Sequence, residues 1–266
     1  TPGISSAASD VYKRQHNVWV SYNDGDNWES LSLNLPDTQI SDLIVTDKDL
    51  VIGTHGRSVY ILDDISPIRE MKKVNPKNPH LYQSYYATRR VQNAEIKYFL
   101  PSIPNKLSLK IIDSEGRVVL DKDGVLEDKT DEEDTSWFGP KNKDPQMKEG
   151  LNSYSWNLRY PGATEFDGMI IWSAKPTLGP IAPPGNYIVK LNVDDKLYET
   201  TLEVRTDPRI EISDEEIEKQ FEFAMEIMLQ TDLANNSVIE IREIKKKLLL
   251  EANKIEGEIS ERIKLL

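Results

Sequence analysis

The sequence contains no cysteine, only three histidines and no long apolar run. The absence of cysteine excludes disulfides and thiol chemistry, but it does not fix the compartment in which the protein works. No apolar run approaches the about 18 residues that a bilayer-spanning helix needs, so we expect no membrane span. The histidines, His16, His55 and His80, lack the spacing of metal ligands. No phosphate-binding glycine loop occurs. We therefore expect neither a metal nor a cofactor.

The chain also lacks a basic excess. Its 33 lysines and arginines stand against 45 acidic residues, which gives a formal charge of −12. Nucleic acids and anionic membranes bind basic surfaces, so neither is an expected partner. Hydrophobic residues make up 38% of the 266 residues, a low share for one compact globule. This composition predicts modest domains joined by polar segments.

Residues 1–15, TPGISSAASDVYKRQ, carry no pattern that fits the sequence after them. The stretch SSAASDVYKRQ resembles translated sequencing-adapter sequence, and we interpret residues 1–15 as a non-native leader. A natural flexible leader is the alternative. Under the first interpretation the chain is the C-terminal part of a longer protein.

Residues 16–66 have the pattern of short β-strands separated by turn residues. The predicted strands are Asn17–Tyr22, Trp28–Leu35, Ile40–Thr46, Asp49–Thr54 and Ser58–Leu62. Several short strands in so short a segment are typical of one β-propeller blade plus the edge of a neighbouring blade.

The stretch SYNDGDNW places amide and acidic turn formers beside a glycine and ends in a tryptophan. Its pattern, S-x-N-D-G-x-x-W, resembles the Asp-box of bacterial-neuraminidase-repeat propellers, with asparagine where the motif has aspartate. The resemblance implies a hairpin turn capped by the amide, with a positive φ at the glycine and an aromatic ring packed between blades. We assign a structural role in this turn to Ser21, Asn23, Asp24, Gly25 and Trp28.

A calcium loop and a catalytic carboxylate site are the alternatives for this stretch. The loop offers oxygen ligands from Asn23, Asp24, Asp26 and Asn27. The twelve-residue EF-hand loop with its closing glutamate is absent, however. We therefore predict a turn and no metal site.

A second motif follows at THGRSVYILDDISPI, which begins at Thr54. It resembles the closing strands of large sortilin-type propellers, found in bacterial glycosyl-hydrolase-like proteins. The resemblance implies that residues 16–66 are the last blade of a propeller. His55 and Arg57 flank a glycine turn and are candidate cleft residues facing a central channel. The alternative, which we favour, is that Arg57 pairs with Asp63 or Asp64 and that His55 caps the turn.

Residues 67–80 contain three prolines and predict an extended linker. Residues 81–207 then predict a second β-domain, because about seven short alternating runs with turn signals are typical of an immunoglobulin-like sandwich. The order of these runs, and PPGNY at 183–187 above all, resembles the Ig-like module of the flagellar-hook-capping type. WNLRYPGATEF, which begins at Trp156, also resembles the domain that follows the propeller in sortilin-type proteins.

Two loops of this second domain are long. Asp121–Asp134 carries eight acidic residues and two lysines, for which we favour a solvated loop over a weak calcium site. Arg159–Gly185 carries five prolines and four glycines together with Phe166, Met169 and Trp172. We expect this loop to dock on a neighbouring propeller rather than to form a binding surface, because docking would cover its apolar side chains.

Residues 208–266 predict a helical segment, either one long helix or a helical hairpin. Ser213 and Glu216 form a capping box, and apolar residues follow at spacings of three and four. Asn235–Ser237 and Gly257 are possible breaks. The apolar stripe needs a partner, and we expect the segment to be truncated at Leu266.

The predicted fold class is therefore mainly β with a C-terminal α segment: a partial propeller blade, an Ig-like sandwich and a helix. The resemblances imply a non-catalytic C-terminal part of a secreted or cell-envelope propeller protein, which closes the propeller and serves as an interaction module. Its partners would be the upstream blades of the same protein and a carbohydrate or protein ligand. The alternative is that this part lends residues to the sugar cleft of a true glycoside hydrolase. No nucleophile–base pair stands out, and we predict no catalytic residue.

Overall fold

The computed structural model describes residues 17–72, 74–126, 144–170 and 178–264, with side chains as far as Ile255. The described part is mainly β with one long C-terminal helix, as the sequence predicts. The leader 1–15, most of the acidic stretch 121–134 and Trp172 lie outside the described residues. None of the helices in the described ranges is long and apolar enough to cross a bilayer.

The first part of the fold, residues 17–72, is called here the N-terminal unit. Strands β1 (Trp19–Val20) and β2 (Glu29–Ser30) form an antiparallel hairpin. Strands β3 (Ile40–Val45), β4 (Leu50–Thr54) and β5 (Val59–Leu62) form an antiparallel sheet in that order. A small core of Val18, Leu50, Ile52 and Ile65 joins the hairpin to the sheet. The predicted strand from Trp28 is shorter than expected, and Leu33 has a left-handed φ of 46° that no regular strand contains.

The segment after this sheet is not wholly extended, so the linker prediction for residues 67–80 was wrong at its start. Helix α1 spans Ser66–Glu70 and has a proline in its first turn. A proline is tolerated there because the first helical N–H groups have no intrahelical partner and its fixed φ suits the helix. In the described residues after this helix the chain makes further turns, with the Val74 N–H donating to the Met71 carbonyl and the Asn78 N–H to the Asn75 carbonyl.

The second part, residues 80–207, is called here the two-sheet unit. Its short strands are β6 (His80–Leu81), β7 (Ala87–Thr88), β12 (Arg159–Pro161) and β13 (Leu178–Ile181). Its longer strands are β8 (Ala94–Leu100), β9 (Leu107–Ile112), β10 (Val118–Asp123), β11 (Gly150–Trp156), β14 (Gly185–Val193) and β15 (Lys196–Arg205). One sheet has the order β10-β9-β14-β15-β7, the other β11-β8-β6, and β12 pairs with β13.

The two sheets share one core. Strand β8 alternates buried and less buried residues along its whole length, as expected for a strand with one face turned inward. The largest fully buried side chains include Trp156, Tyr98 and Tyr187. Trp156 and Tyr187 meet edge to face with ring centroids 5.4 Å apart. Each ring comes from a different sheet, so this contact ties the two sheets together.

The C-terminal helix α2 spans Asp214–Lys264 without interruption. The predicted capping box is confirmed: the Glu216 N–H donates to Ser213 Oγ at 3.2 Å, and the Ser213 N–H donates to Glu216 Oε2 at 3.0 Å. Breaks at Asn235–Ser237 and Gly257 do not occur. The first turns pack on the two-sheet core through Phe221, and Ile217 is buried as well.

Candidate functional site

The stretch SYNDGDNW forms a hairpin turn closed by side chains. The Gly25 N–H donates to Ser21 Oγ at 2.8 Å, and the Asn27 N–H donates to Asn23 Oδ1 at 2.9 Å. Ser21 Oγ also donates to Asn23 Oδ1 at 3.1 Å. Gly25 has a φ of 101°, a region that favours glycine. The oxygens of Ser21 and Asn23 are therefore occupied by the turn itself.

The remaining residues of the turn face outward. Asp24 adopts a left-handed φ of 57°, which aspartate tolerates better than most residues. Trp28 is 41% exposed, and its ring lies against Gly25. Across the described ranges there is no group of three or more His, Asp or Glu side chains arranged to hold a metal ion.

The THGR turn lies between β4 and β5. Gly56 and Ser58 have φ values of 81° and 74°, and the Thr54 hydroxyl donates to the Ser58 carbonyl at 2.6 Å. The side chains of His55 and Arg57 are exposed. The His55 backbone N–H donates to the Gln39 carbonyl at 2.8 Å.

The favoured pairing of Arg57 with Asp63 or Asp64 was wrong. The register of β4 with β5 joins Gly53 to Val59 and Leu50 to Leu62. Arg57 therefore lies at one end of this hairpin, and the two aspartates follow its other end. Asp64 instead binds Lys97 of strand β8, with 3.1 Å between Nζ and Oδ2.

Asp64 is the centre of the contact between the N-terminal unit and the two-sheet unit. Its carboxylate accepts from the Ser66 N–H at 3.1 Å and from the Ser66 hydroxyl, at the first residue of helix α1. Its own N–H donates to Asp49 Oδ1 at 3.1 Å. Lys97 also donates to the carbonyl oxygens of Asp63 and Asp64 at 3.3 and 3.0 Å. Residues 62–66, with the sequence LDDIS, thus hold the two units together. We call this segment the joint between the units.

Helix α1 extends this joint. Glu70 accepts from the Gln83 N–H at 2.9 Å, and Glu70 Oε2 lies 3.0 Å from His80 Nε2. Arg69 donates to the Tyr85 hydroxyl and, at 3.0 Å, to the Thr46 carbonyl. The short helix therefore contacts both units, which fixes their orientation.

A polar cleft of about 660 Å³ opens beside this joint. The N-terminal unit contributes Lys48, Asp49 and Asp63, and the two-sheet unit contributes Tyr86 and Glu95 among others. Lys48 Nζ donates to Gln92 Oε1 at 3.4 Å across the cleft, and Ser153 Oγ donates to Glu95 Oε2 at 2.8 Å. Most of its polar groups thus already have protein partners.

The sheet β3–β4–β5 has a second, outward face that is apolar. Ile44 pairs with Val51, and Val51 pairs with Ile61, so the three side chains form a row across the sheet. Ile44, Ile61 and Val59 are 56%, 59% and 60% exposed. We call Ile44, Val51, Val59 and Ile61 the outer apolar face. A row of β-branched residues across three strands is a surface suited to packing against another sheet.

Sequence reasoning missed Lys97 as the partner of the aspartates. Lys97 occupies one of the less buried positions that alternate with the core residues of β8. A lysine is ordinary at such a position, so it gives no sign of a partner. Its pairing with Asp64 joins residues 33 positions apart along the chain, which no local pattern encodes.

Comparisons with known proteins add little to this description. No family model matches the chain, and none of the curated proteins matches it. Among solved structures, CopC from Methylosinus trichosporium OB3b is similar over 51% of this chain and 100% of its own, with 14% sequence identity and a TM-score of 0.27. A likeness this weak carries no argument about fold or function.

Proposed function

We propose that the chain is a non-catalytic closing and interaction module of a secreted or cell-envelope propeller protein of the sortilin-type, glycosyl-hydrolase-like kind. In this proposal the N-terminal unit supplies the last blade, and the two-sheet unit is an immunoglobulin-like sandwich fixed beside it. The partners are the neighbouring blades of the same protein and a carbohydrate or protein ligand.

The outer apolar face is the observation that carries this proposal. Propeller blades are sheets stacked around a central axis, so each blade buries both of its faces against neighbours. One face of the sheet β3–β4–β5 is buried in the N-terminal unit, through Leu50 and Ile52 among others. The other face presents Ile44, Val51, Val59 and Ile61 to solvent. A neighbouring blade would cover this second face.

The joint at Asp64 supports the role of a closing module. A flexible linker would let the second unit swing, whereas here Lys97 and helix α1 fix it against the edge of the sheet. A rigid unit at this position would hold the last blade in place and present its own surface at a fixed angle.

The test is the substitution Ile61→Asp, measured in this chain and in a longer protein in which the proposed neighbouring blades precede it. We expect a loss of at most about 0.5 kcal/mol in the free energy of unfolding of this chain, where Ile61 is exposed. In the longer protein we expect about 2 kcal/mol or more, because the carboxylate would be buried without a partner. Val118→Asp, at an exposed position of β10, is the control and should behave alike in both. Equal small effects of Ile61→Asp in both proteins would contradict the proposal.

A second candidate function rests on the THGR turn. His55 and Arg57 are exposed, and neither side chain has a hydrogen bond or ion pair within the described ranges. Two uncommitted basic side chains at one turn favour contact with a polar ligand, such as a sugar bound in a cleft completed by other blades. In this alternative the chain lends residues to a glycoside hydrolase.

The two candidates share one expectation: residues 16–266 alone should not hydrolyse aryl glycosides or polysaccharides. A glycosidase needs two carboxyl groups held across a cleft, about 5–10 Å apart. Asp64 is engaged by Ser66 and Lys97 and is not available for this role. Turnover that disappears in Asp63→Asn or Asp64→Asn would show that a catalytic pair exists in this chain and would contradict both candidates.

A further inference from the structure

Three arginines lie together at one edge of the two-sheet unit, although the chain as a whole is strongly acidic. Arg89 and Arg90 follow strand β7, and Arg159 begins strand β12. Arg89 Nε donates to the Ala182 carbonyl at 3.1 Å. The Ala182 N–H in turn donates at 2.7 Å to the carbonyl of Leu158, the residue before Arg159. These bonds bring the end of β7 and the β12–β13 pair to the same place.

No carboxylate balances this charge in the described part of the chain. Arg89 is 9% exposed, and among the described residues its side chain hydrogen-bonds only to the Ala182 carbonyl. Arg159 Nη1 donates to the Gly179 carbonyl at 2.8 Å. Arg90 is exposed, and among the described residues its side chain has no ion-pair partner. Elsewhere in the described chain an arginine does pair with a carboxylate, as Arg117 does with Asp113.

Burial and neighbouring charges disfavour the charged form of Arg89 and Arg159. Burial lowers the pKa of Arg89, the charges of Arg90 and Arg159 lower it further, and Tyr187 acts in the opposite direction. Burial and Arg90 likewise lower the pKa of Arg159. Gathering like charges in a partly buried place opposes folding unless something of opposite charge is bound there.

Backbone conformation gives a second, independent sign of a site. Arg90 has a φ of 63°, and Leu158, directly before Arg159, has a φ of 56°. Neither residue is of the kind that favours the left-handed region. Strain of this kind is found mainly at functional sites, where the surrounding structure holds it. Here it occurs beside two of the three clustered arginines.

We propose that Arg89, Arg90 and Arg159 form a binding site for an oxyanion, either free phosphate or sulfate or the phosphate or sulfate group of a larger ligand. Guanidinium groups present planar pairs of N–H donors that match the oxygens of such anions. Arg89 is held by its bond to Ala182 and by its burial, so it would position the anion. Arg90 is exposed and would close over it.

The test is titration of the chain with inorganic phosphate, inorganic sulfate and phenyl phosphate at constant ionic strength set with sodium chloride. The readout is the NMR signal of the arginine Nε–Hε groups. We expect saturable shifts of the Arg89, Arg90 and Arg159 signals with phosphate or sulfate. Shifts with the inorganic anions but not with phenyl phosphate indicate a site for the free ion. Shifts with all three indicate a site for the terminal group of a larger ligand.

Two variants and a matched control make the test specific. Arg90→Gln should raise the half-saturating phosphate concentration about tenfold without unfolding the chain, and Arg159→Lys should raise it less, because it keeps the charge but loses the paired donors. Lys196→Gln removes one positive charge from an exposed position at the start of β15, whereas β15 meets β7 only at its other end, and it should change nothing. The absence of saturable shifts, or an equal effect of Lys196→Gln, would overturn the proposal.

Discussion

Asp64 adopts a left-handed backbone conformation, with a φ of 55°, although it carries a side chain. Glycine would take this conformation with less strain. A glycine would also lose every contact of the carboxylate, which binds Ser66 at the start of helix α1 and Lys97. The contacts of the side chain therefore explain why an aspartate occupies this position.

Gly25 is a residue whose backbone conformation matters more than the space around it. A Cβ on Gly25 would meet the Trp28 ring at an ordinary 3.8 Å, but its φ of 101° is strained for any other residue. We expect Gly25→Ala to lower the free energy of unfolding by about 1 kcal/mol or more. Asn23→Asp should be tolerated, because either side chain offers an oxygen to the Asn27 N–H. Denaturant unfolding of both variants measures this, and a neutral Gly25→Ala would contradict it.

Asp113 makes the stability of the chain depend on pH. Burial opposes its ionisation, but hydrogen bonds from Arg117 and Tyr160 outweigh burial and hold the pKa of Asp113 below its ordinary value. The folded state therefore binds fewer protons than the unfolded state in the acid range. This contribution to stability is full above the unfolded pKa of about 3.9 and is lost as the pH falls through the folded pKa.

We expect Asp113→Asn to flatten the dependence of the free energy of unfolding on pH below about 4, since the titrating group is gone. Tyr160→Phe removes one donor, 2.8 Å from Asp113 Oδ2, and should flatten it in part. Urea unfolding at several acid pH values provides the comparison. An unchanged slope in Asp113→Asn would show that other carboxyl groups control acid unfolding.

At the scale of elements, helix α2 organises the long loop after Arg159. The Thr164 N–H donates to Asp232 Oδ1, and Asn235 Nδ2 donates to the Thr164 carbonyl, each at 2.7 Å. Arg242 lies over the Phe166 ring, 4.8 Å from its centroid. We expected this loop to dock on a propeller. Its described part docks on helix α2 instead. Because the Asn235 amide is used in this contact, it does not compete with the helix backbone.

Removing the two helix side chains that hold Thr164 should release the loop. We expect the Thr164 amide in Asp232→Ala/Asn235→Ala to exchange with solvent about tenfold faster or more, because two hydrogen bonds are lost. Asn253→Ala, an exposed asparagine farther along the same helix, is the control. Hydrogen exchange measured by NMR distinguishes the two. Equal exchange rates would show that other contacts hold the loop.

At the scale of the whole molecule, the stability of the N-terminal unit depends on the two-sheet unit more than the stability of the two-sheet unit depends on the N-terminal unit. The core of the two-sheet unit contains many fully buried side chains, whereas that of the N-terminal unit centres on four buried residues. The N-terminal sheet also has open edges at β3 and β5, and such small open sheets are marginal alone. We expect limited proteolysis to leave a stable core that begins near Pro79.

We expect the ion pair between Lys97 and Asp64 to supply much of the stability that the N-terminal unit gains from the two-sheet unit. Their side chains are 17% and 6% exposed, so Lys97→Met leaves a buried carboxylate without its partner, at a cost of about 3 kcal/mol. We expect cleavage within residues 17–72 to accelerate while the core from Pro79 stays intact. Lys110→Met, whose pair with Asp121 is 39% and 54% exposed, should change stability by at most about 1 kcal/mol. Equal protection of the N-terminal strands in Lys97→Met would contradict this expectation.

The sequence by itself determined the β-rich class, the turn around Asn23 and Gly25, and the start of helix α2 at Ser213. These features depend on alternation, turn chemistry and capping, which act between residues a few positions apart. The sequence also singled out residues 62–66, but it favoured Arg57 rather than Lys97 as the partner of the aspartates there.

Only the tertiary structure decided which distant residues meet. It paired Asp64 with Lys97, seated Thr164 on helix α2 and brought Arg89 and Arg90 beside Arg159. Each of these contacts joins segments whose local patterns are ordinary. Their partners are set by how sheets and helix pack around a common core, and that packing depends on the whole chain at once.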